Sequence, residues 1–152
     1  MSNIKTYSPS KISLVISGYV VEGWTSITLE KKNPTFKQIE GIRGKNTRVK
    51  VGDNSSVLQI TVPITSDLNS ILSKILLFDM ETGNGRINIL VRDYLNGEVF
   101  ESSDAYISGD ADRGYTGDIP DRSWEIVCMN SRWSHSSANW SLDALINYNN
   151  LI

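Results

Sequence analysis

The region between Arg86 and Ser108 constrains the fold of this chain more than any other. It reads RINILVRDY, then LNG, then EVFESSDAYIS, so two runs of alternating apolar and polar residues flank Asn96-Gly97. Side chains of a strand point alternately to the two faces of a sheet, and Asn-Gly is the strongest short-range signal for a hairpin turn. The pattern predicts an antiparallel hairpin in which each strand has one buried face.

The same alternation recurs elsewhere and predicts a domain built mainly of antiparallel strands. The segments are residues 12–16 (followed by a Gly18-Tyr19 turn), Thr25–Lys32, 57–65 and 123–129. The expected buried positions of the last two segments are Leu58, Ile60, Val62 and Ile64, and Trp124, Ile126 and Cys128. Each of these sets recurs with a period of two residues, as expected for one face of a strand.

One stretch has helical periodicity instead. After Pro63, apolar residues recur three and four residues apart, which places them on one face of a helix. Thr65 or Ser66 can cap the start, Asp67 suits the positive end of the helix dipole, and Gly83 can end the helix. We predict one amphipathic helix at about residues 66–80, packed on one end of the sheet, with core positions Leu68, Ile71, Leu72, Ile75 and Leu76. The predicted fold class is therefore α+β, mainly antiparallel β.

Residues 33–55 have strand-like alternation but few large apolar side chains. Asn33-Pro34 and Gly52-Asp53-Asn54 frame this segment. A hairpin without an apolar face cannot cover a core, so we predict a projecting β-hairpin arm. Its exposed strand edge can pair with another chain.

Residues 41–48 of this arm, GIRGKNTR, resemble the beginning of a phosphate-binding loop, but their spacing is wrong. A P-loop has four residues between its glycines, and Ser or Thr follows its lysine. Here two residues separate Gly41 from Gly44, and Asn46 follows Lys45. The following TRVKV alternates like a strand, whereas a P-loop leads into a helix. We therefore do not expect a nucleotide site.

Charge is distributed unevenly, although the net charge is only −2. Residues 30–52 contain seven cations and two acids, a net charge of +5. Residues 79–125 contain eleven acids and four arginines, a net charge of −7. Such asymmetry is typical of a protein that binds nucleic acid, or of one that binds copies of itself head to tail.

Length and composition narrow the classes of protein further. A chain of 152 residues, 39% hydrophobic and 21% charged, fits one globular domain. No apolar run approaches the ~20 residues of a membrane helix, and the N-terminus lacks the apolar core of a signal peptide, so we expect a cytoplasmic protein. The single Cys128 and the single His135 exclude an internal disulfide, a cysteine-built zinc site and a multi-histidine metal site. We expect no cofactor and no catalytic activity.

The acidic stretch DADRGYTGDIPD, residues 110–121, has some features of a calcium loop. Asp110 and Asp112 occupy the first two ligand spacings, but Tyr115 stands where the loop needs a glycine. A solvated loop between strands is the favoured interpretation, and calcium binding is the lesser alternative.

The order of these elements resembles that of tail-tube proteins of contractile-tailed bacteriophages and, distantly, of type VI secretion tube proteins. The resemblance covers roughly residues 7 to 130 and is carried by the Gly-rich basic arm, the SDLNSIL helix start and the Asn-Gly hairpin. It implies a single domain over residues 1–130 with a β-sandwich or barrel-like fold. Residues 131–152, SRWSHSSANWSLDALINYNNLI, depart from the pattern as a C-terminal extension in which Trp133 and Trp140 need a partner to cover them.

The resemblance also implies a function. Six copies of such a protein form a ring, and stacked rings form the inner tube of a contractile tail, through which the genome is ejected. The implied location is the virion tail, after assembly in the host cytoplasm. The implied partners are other copies of the chain, the tail sheath, the baseplate and the tail terminator, while DNA and the tape-measure protein pass through the lumen without specific binding. The implied inter-subunit contacts are those of the arm cations Arg43, Lys45, Arg48 and Lys50.

Two other hypotheses remain. A monomeric β-sandwich could bind carbohydrate, with Trp133, Trp140 or Tyr115 as stacking platforms. Alternatively, the cations of residues 43–50 could bind DNA phosphates. Oligomeric state, ligand affinity and salt-dependent retention on DNA separate these hypotheses from a tube subunit.

Overall fold

The computed structural model describes residues 4–135 and 142–150 of the chain. Its strands are β1 (Ile12–Ile16), β2 (Tyr19–Val20), β3 (Ser26–Lys31), β4 (Phe36–Glu40), β5 (Asn46–Lys50), β6 (Ser56–Pro63), β7 (Ile87–Asp93), β8 (Glu98–Ile107) and β9 (Asp121–His135). Helix α1 (Asp67–Thr82) lies between β6 and β7, and α2 (Leu142–Asn150) follows β9. A short 3-10 turn, Pro9–Lys11, precedes β1.

Seven strands form one antiparallel sheet in the order β2-β1-β7-β8-β9-β6-β3, and β4 and β5 form a separate two-stranded sheet. The large sheet curls, because Ile12 of β1 and Ile27 of β3 line the same cavity although β3 is one edge strand and β1 is next to the other edge strand, β2. The fold is therefore α+β with a sandwich-like or barrel-like sheet, which confirms the predicted class.

The core lies inside this curled sheet, where the expected alternating positions meet. Leu58, Ile60 and Val62 of β6 have no exposed surface, and Ile126 and Cys128 of β9 are equally buried. Ile64, the fourth position of the predicted apolar face of β6, lies after the strand and is only partly buried.

Helix α1 closes the end of the barrel at which β6 ends and β9 begins. Its Leu68, Leu72 and Leu76 are buried, whereas Ile71 and Ile75 are only partly buried, and of these two Ile75 packs against the core. The Ser66 side chain accepts a hydrogen bond from the backbone N–H of Leu68, and Gly83 ends the helix in the left-handed conformation at φ 73°. Ser66 and Gly83, both predicted from the sequence, therefore cap the start and the end of the helix.

The C-terminal region holds more regular structure than predicted. Strand β9 continues to His135, which pairs with Glu98 of β8. The sequence predicts a single helix, but α2 is a second one. The division between a domain at 1–130 and an extension at 131–152 stays a prediction, although the last paired strand crosses that boundary.

Candidate assembly surfaces

The β4–β5 hairpin has the properties of the predicted arm. All ten of its strand residues are exposed, and within the described part of the chain its strands pair only with each other. The arm is tied at its base, where the Asp53 carboxylate accepts hydrogen bonds from the Ser55 N–H at 3.0 Å and from the Asn33 side-chain amide at 3.0 Å. The hydrogen bonds from Ser55 lower the pKa of Asp53, so this tie is made by the ionised carboxylate.

The strand register divides the four predicted contact cations into two groups. Phe36 pairs with Lys50 and Gln38 with Arg48, so these four side chains share one face of the arm. On that face the Arg48 guanidinium lies 4.2 Å from the centre of the Phe36 ring, a cation–π contact. Arg48 and Lys50 therefore form a basic face rather than part of the tip.

Arg43 and Lys45 belong to the turn at the end of the arm. This turn spans residues 41–45 and is closed by hydrogen bonds from the Gly41 N–H to the Lys45 carbonyl at 2.7 Å and from the Gly44 N–H to the Gly41 carbonyl at 3.0 Å. Gly44 has φ 77°, a conformation that residues with a side chain rarely adopt. The tip also exposes Ile42 fully.

The opposite face of the arm differs from the predicted one. Lys37 pairs with Val49 and Ile39 with Thr47, which places Ile39 and Val49 on one face. Ile39 is 50% exposed and Val49 36% exposed. The prediction of an arm without an apolar face is therefore wrong in detail, because two aliphatic residues from different strands lie on this face.

An acidic depression lies on the main domain. Asp110, Asp112, Asp121 and Glu125 line one open cavity of about 440 Å³. No ion pair found in residues 4–135 and 142–150 involves these four carboxylates, and none involves the four arm cations. The described residues contain no group of three or more His, Cys, Asp or Glu side chains that could hold a metal ion. The depression thus carries negative charge, but its described side chains are not arranged to coordinate a metal ion.

A groove with apolar walls is lined by residues of β1, β3, β7, β8 and β9. It encloses about 640 Å³ and is lined by Trp24, Ile27, Leu29, Phe100 and Trp133, with Tyr7 at its rim. The Trp133 ring meets Phe100 edge to face at 5.1 Å between ring centres, and its indole N–H donates to the Ser56 hydroxyl at 3.0 Å. Trp133 nevertheless remains 43% exposed.

The residues expected to stack carbohydrate do not form one platform. Trp133 lines this apolar groove, whereas Tyr115 lies 5.2 Å from the Arg122 guanidinium in a different cavity. Trp140 lies outside the described residues. His135 is at the groove rim, 3.8 Å from Glu98, and does not belong to a catalytic arrangement among the described residues.

One partly buried side chain that the sequence patterns did not predict helps to hold the scaffold of these surfaces, and the buried Cys128 lies where the alternation of β9 predicts. The Asn69 side chain accepts a hydrogen bond from the Trp124 indole N–H at 2.8 Å and donates to the Pro63 carbonyl at 3.0 Å, so it joins α1 to β9 and β6. Burial raises the pKa of Cys128 to about 12, and this thiol is therefore neutral and unreactive. The sequence feature that could have pointed to Asn69 is its position beside the apolar residues of the helix, where a polar side chain needs a hydrogen-bond partner.

No helix in the described part of the chain is both long enough and apolar enough to cross a membrane. The chain matches no protein-family model. It is 23% identical over 141 residues to the structural protein ORF10 of Pseudomonas phage KPP10, an alignment that covers 86% of this chain and 82% of the phage protein.

Solved structures identify the fold. A chain of the anti-feeding prophage cap, described as a tube terminating cap, overlaps 90% of this chain and 95% of its own length with a TM-score of 0.63 at 6% identity. A chain from the sheath-tube complex of an extracellular contractile injection system, PVC in its extended state, overlaps 86% of this chain and 93% of its own length. The TM-score is 0.61 at 6% identity. The fold is that of contractile injection system proteins. The predicted resemblance is thereby confirmed at the level of the fold, and nothing in these comparisons supports a carbohydrate-binding module.

Proposed function

We propose that this protein is a structural subunit of a phage tail tube, which assembles without catalysis into stacked hexameric rings that conduct the genome. The observation that carries the proposal is an exposed hairpin arm on a fold shared with components of contractile injection systems. A hairpin whose strand residues are all exposed offers its edges and faces to another chain. The sheath, the baseplate and the tail terminator are the further partners of such a tube.

Charge favours contact between the arm tip of one copy and the acidic depression of another. Arg43 and Lys45 are exposed at the tip, and the depression carries four carboxylates that take part in no ion pair found among the described residues. One exposed ion pair contributes only about 0.2–1 kcal/mol. A symmetric ring repeats each pair in every subunit, so several weak contacts act together.

The same arm is a poor candidate for gripping DNA. Each Lys or Arg on a phosphate backbone adds a salt-sensitive contact that retains the nucleic acid. A conduit has to release its DNA, so a neutral or acidic lumen suits this function better than a basic one. The cations then belong at the contacts between subunits. We place Arg43, Lys45, Arg48 and Lys50 at protein–protein joints on this ground.

Replacing residues 36–50 by a short Gly-Ser turn tests the proposal. The backbone N–H of Val51 donates to the Thr35 carbonyl at 2.9 Å, so a short turn can close the chain at the base of the arm. Negative-stain microscopy is expected to show tubes or rings of the unaltered protein and dispersed, folded subunits of the variant. Normal tubes formed by the variant would contradict a role of the arm in assembly.

A tube-terminating ring is the second candidate, because one of the similar structures is a terminating cap. A tube subunit needs complementary surfaces on both sides of its ring and polymerises without limit, whereas a terminator binds a tube on one side only. Open-ended tubes of the purified protein support the first function, and single rings that do not stack support the second.

A further inference from the structure

Two apolar surfaces of the single subunit are left uncovered by residues 4–135 and 142–150. The first is the groove described above, whose Trp24, Ile27 and Leu29 are packed against the core but only partly buried. The second is one face of α2, where Leu142 is 69% exposed and Ile146 is 56% exposed. Residues four apart lie one above the other on a helix, so these two side chains form one apolar strip.

Helix α2 needs a packing partner to be stable. It has nine residues, and isolated helices shorter than about 12–15 residues are marginal in water, where packing of an apolar face supplies most of the stability. Only six residues separate His135, at the groove rim, from Leu142. Even so, α2 of the single subunit leaves both its strip and the groove exposed to solvent.

We propose that the groove of one subunit receives the Leu142–Ile146 strip of α2 from a second copy of the chain. This inference rests on the ring assembly proposed above, because a head-to-tail contact around a ring provides one helix for every groove. A groove with aromatic walls and a polar rim is a usual receptor for an amphipathic helix anchored by residues four apart. The Trp133 indole N–H is already bonded to Ser56, so an apolar occupant leaves no polar atom of that ring unsatisfied.

Cysteine crosslinking between two differently marked chains tests the exchange. One full-length chain carries Tyr7→Cys at the groove rim and the other carries Ile146→Cys, while the native Cys128 stays buried and unreactive. Oxidation of the mixture is expected to give a disulfide-linked heterodimer. Tyr115→Cys, on an exposed residue that lines a different cavity, is the matched control and is expected to give none.

Assembly provides the second measurement. The double variant Leu142→Ser with Ile146→Ser is expected to raise the protein concentration at half-assembly at least tenfold, as measured by light scattering. Asn147→Ser, on an exposed position of the same helix, is expected to leave that concentration unchanged. The substituted side chains are exposed, so the sheet domain remains folded in both variants.

The outcomes separate this inference from the tube proposal. Rings that form without the crosslink, or a crosslink obtained only within one chain carrying both cysteines, overturn the exchange and leave the tube proposal standing. A crosslinked heterodimer from a protein that forms no rings supports the exchange and overturns the tube proposal. A protein that gives neither rings nor the crosslink overturns both.

Discussion

Leu72 lies at the middle of α1 with no exposed surface, and Leu72→Ala therefore tests whether this helix forms part of the core. The substitution removes three carbon atoms, and burial of each contributes about 0.8 kcal/mol, so the transfer contribution alone is about 2.4 kcal/mol. The space left behind adds to this, because the surroundings close only partly. We expect the free energy of unfolding to fall by about 3 kcal/mol, within the usual range of about 2–5 kcal/mol.

The same helix offers a matched control. Leu77→Ala makes the same chemical change with the same change in helix propensity, but Leu77 is 55% exposed. Much of its side chain is already in contact with water, and its loss is expected to lower the free energy of unfolding by less than about 1 kcal/mol. The difference between the two variants thus isolates burial from helix propensity.

Urea denaturation of dispersed subunits, followed by tryptophan fluorescence, measures both changes. Trp124 is a suitable reporter because its indole N–H is hydrogen-bonded to Asn69 on α1. A shift of the midpoint with an unchanged slope is expected, since neither variant alters the compactness of the unfolded chain. Equal losses for Leu72→Ala and Leu77→Ala, or a loss below about 0.5 kcal/mol for Leu72→Ala, would refute the packing assigned to α1.

Three further predictions concern the arm, a loop and a tight contact. Reversing both tip cations, Arg43→Glu with Lys45→Glu, is expected to weaken stacking and to leave DNA affinity negligible; filter binding that shows salt-dependent DNA retention by the unaltered protein would contradict this. Hydrogen bonds lower the pKa of Asp93, so its stabilising effect is present above about pH 4 and disappears as pH falls through the folded-state pKa. Asp93→Asn should therefore destabilise the protein at pH 7 in denaturant melts but less at pH 2, and a pH-independent difference would exclude this explanation. Gly85→Ala would place a methyl group 2.4 Å from a side-chain carbon of α1 and should lower the free energy of unfolding by about 1–3 kcal/mol, whereas Gly109→Ala, with open space around it, should change little.

Local periodicity was sufficient to predict most of the fold. The β7–β8 hairpin, the buried face of β6 and the cap and stop of α1 each depend on residues close together in the chain. The loop of the β7–β8 hairpin shows how local these signals are, because Gly97 adopts φ 77° and Asp93 accepts the backbone N–H groups of Leu95 and Asn96. Contacts of this kind need no knowledge of the rest of the molecule.

The candidate surfaces could not be predicted in the same way, because they depend on register and on distant segments. Arg48 and Lys50 share a face with Phe36 only in the pairing that sets Phe36 opposite Lys50, and a shift by one residue would place them on the other face. The groove exists because the sheet curls until β1 and β3 line one cavity. The sequence around Ile12 or around Ile27 does not indicate that these two residues line the same cavity.

The charge on the arm also limits the symmetry of any assembly. In a twofold dimer formed by two arms, each arm would face an identical segment with the same positive charge, and like charges at close range oppose association. Contact between the arm of one copy and the acidic depression of the next brings opposite charges together and uses two different surfaces. When each copy gives its arm to one neighbour and receives the arm of another, such head-to-tail contacts leave one surface of each kind free after every step, so they close into rings or continue as helical filaments. Head-to-tail assembly should therefore yield rings or tubes and no stable twofold dimer, and sedimentation analysis that finds such a dimer as the end product would contradict the head-to-tail arrangement of arm and depression.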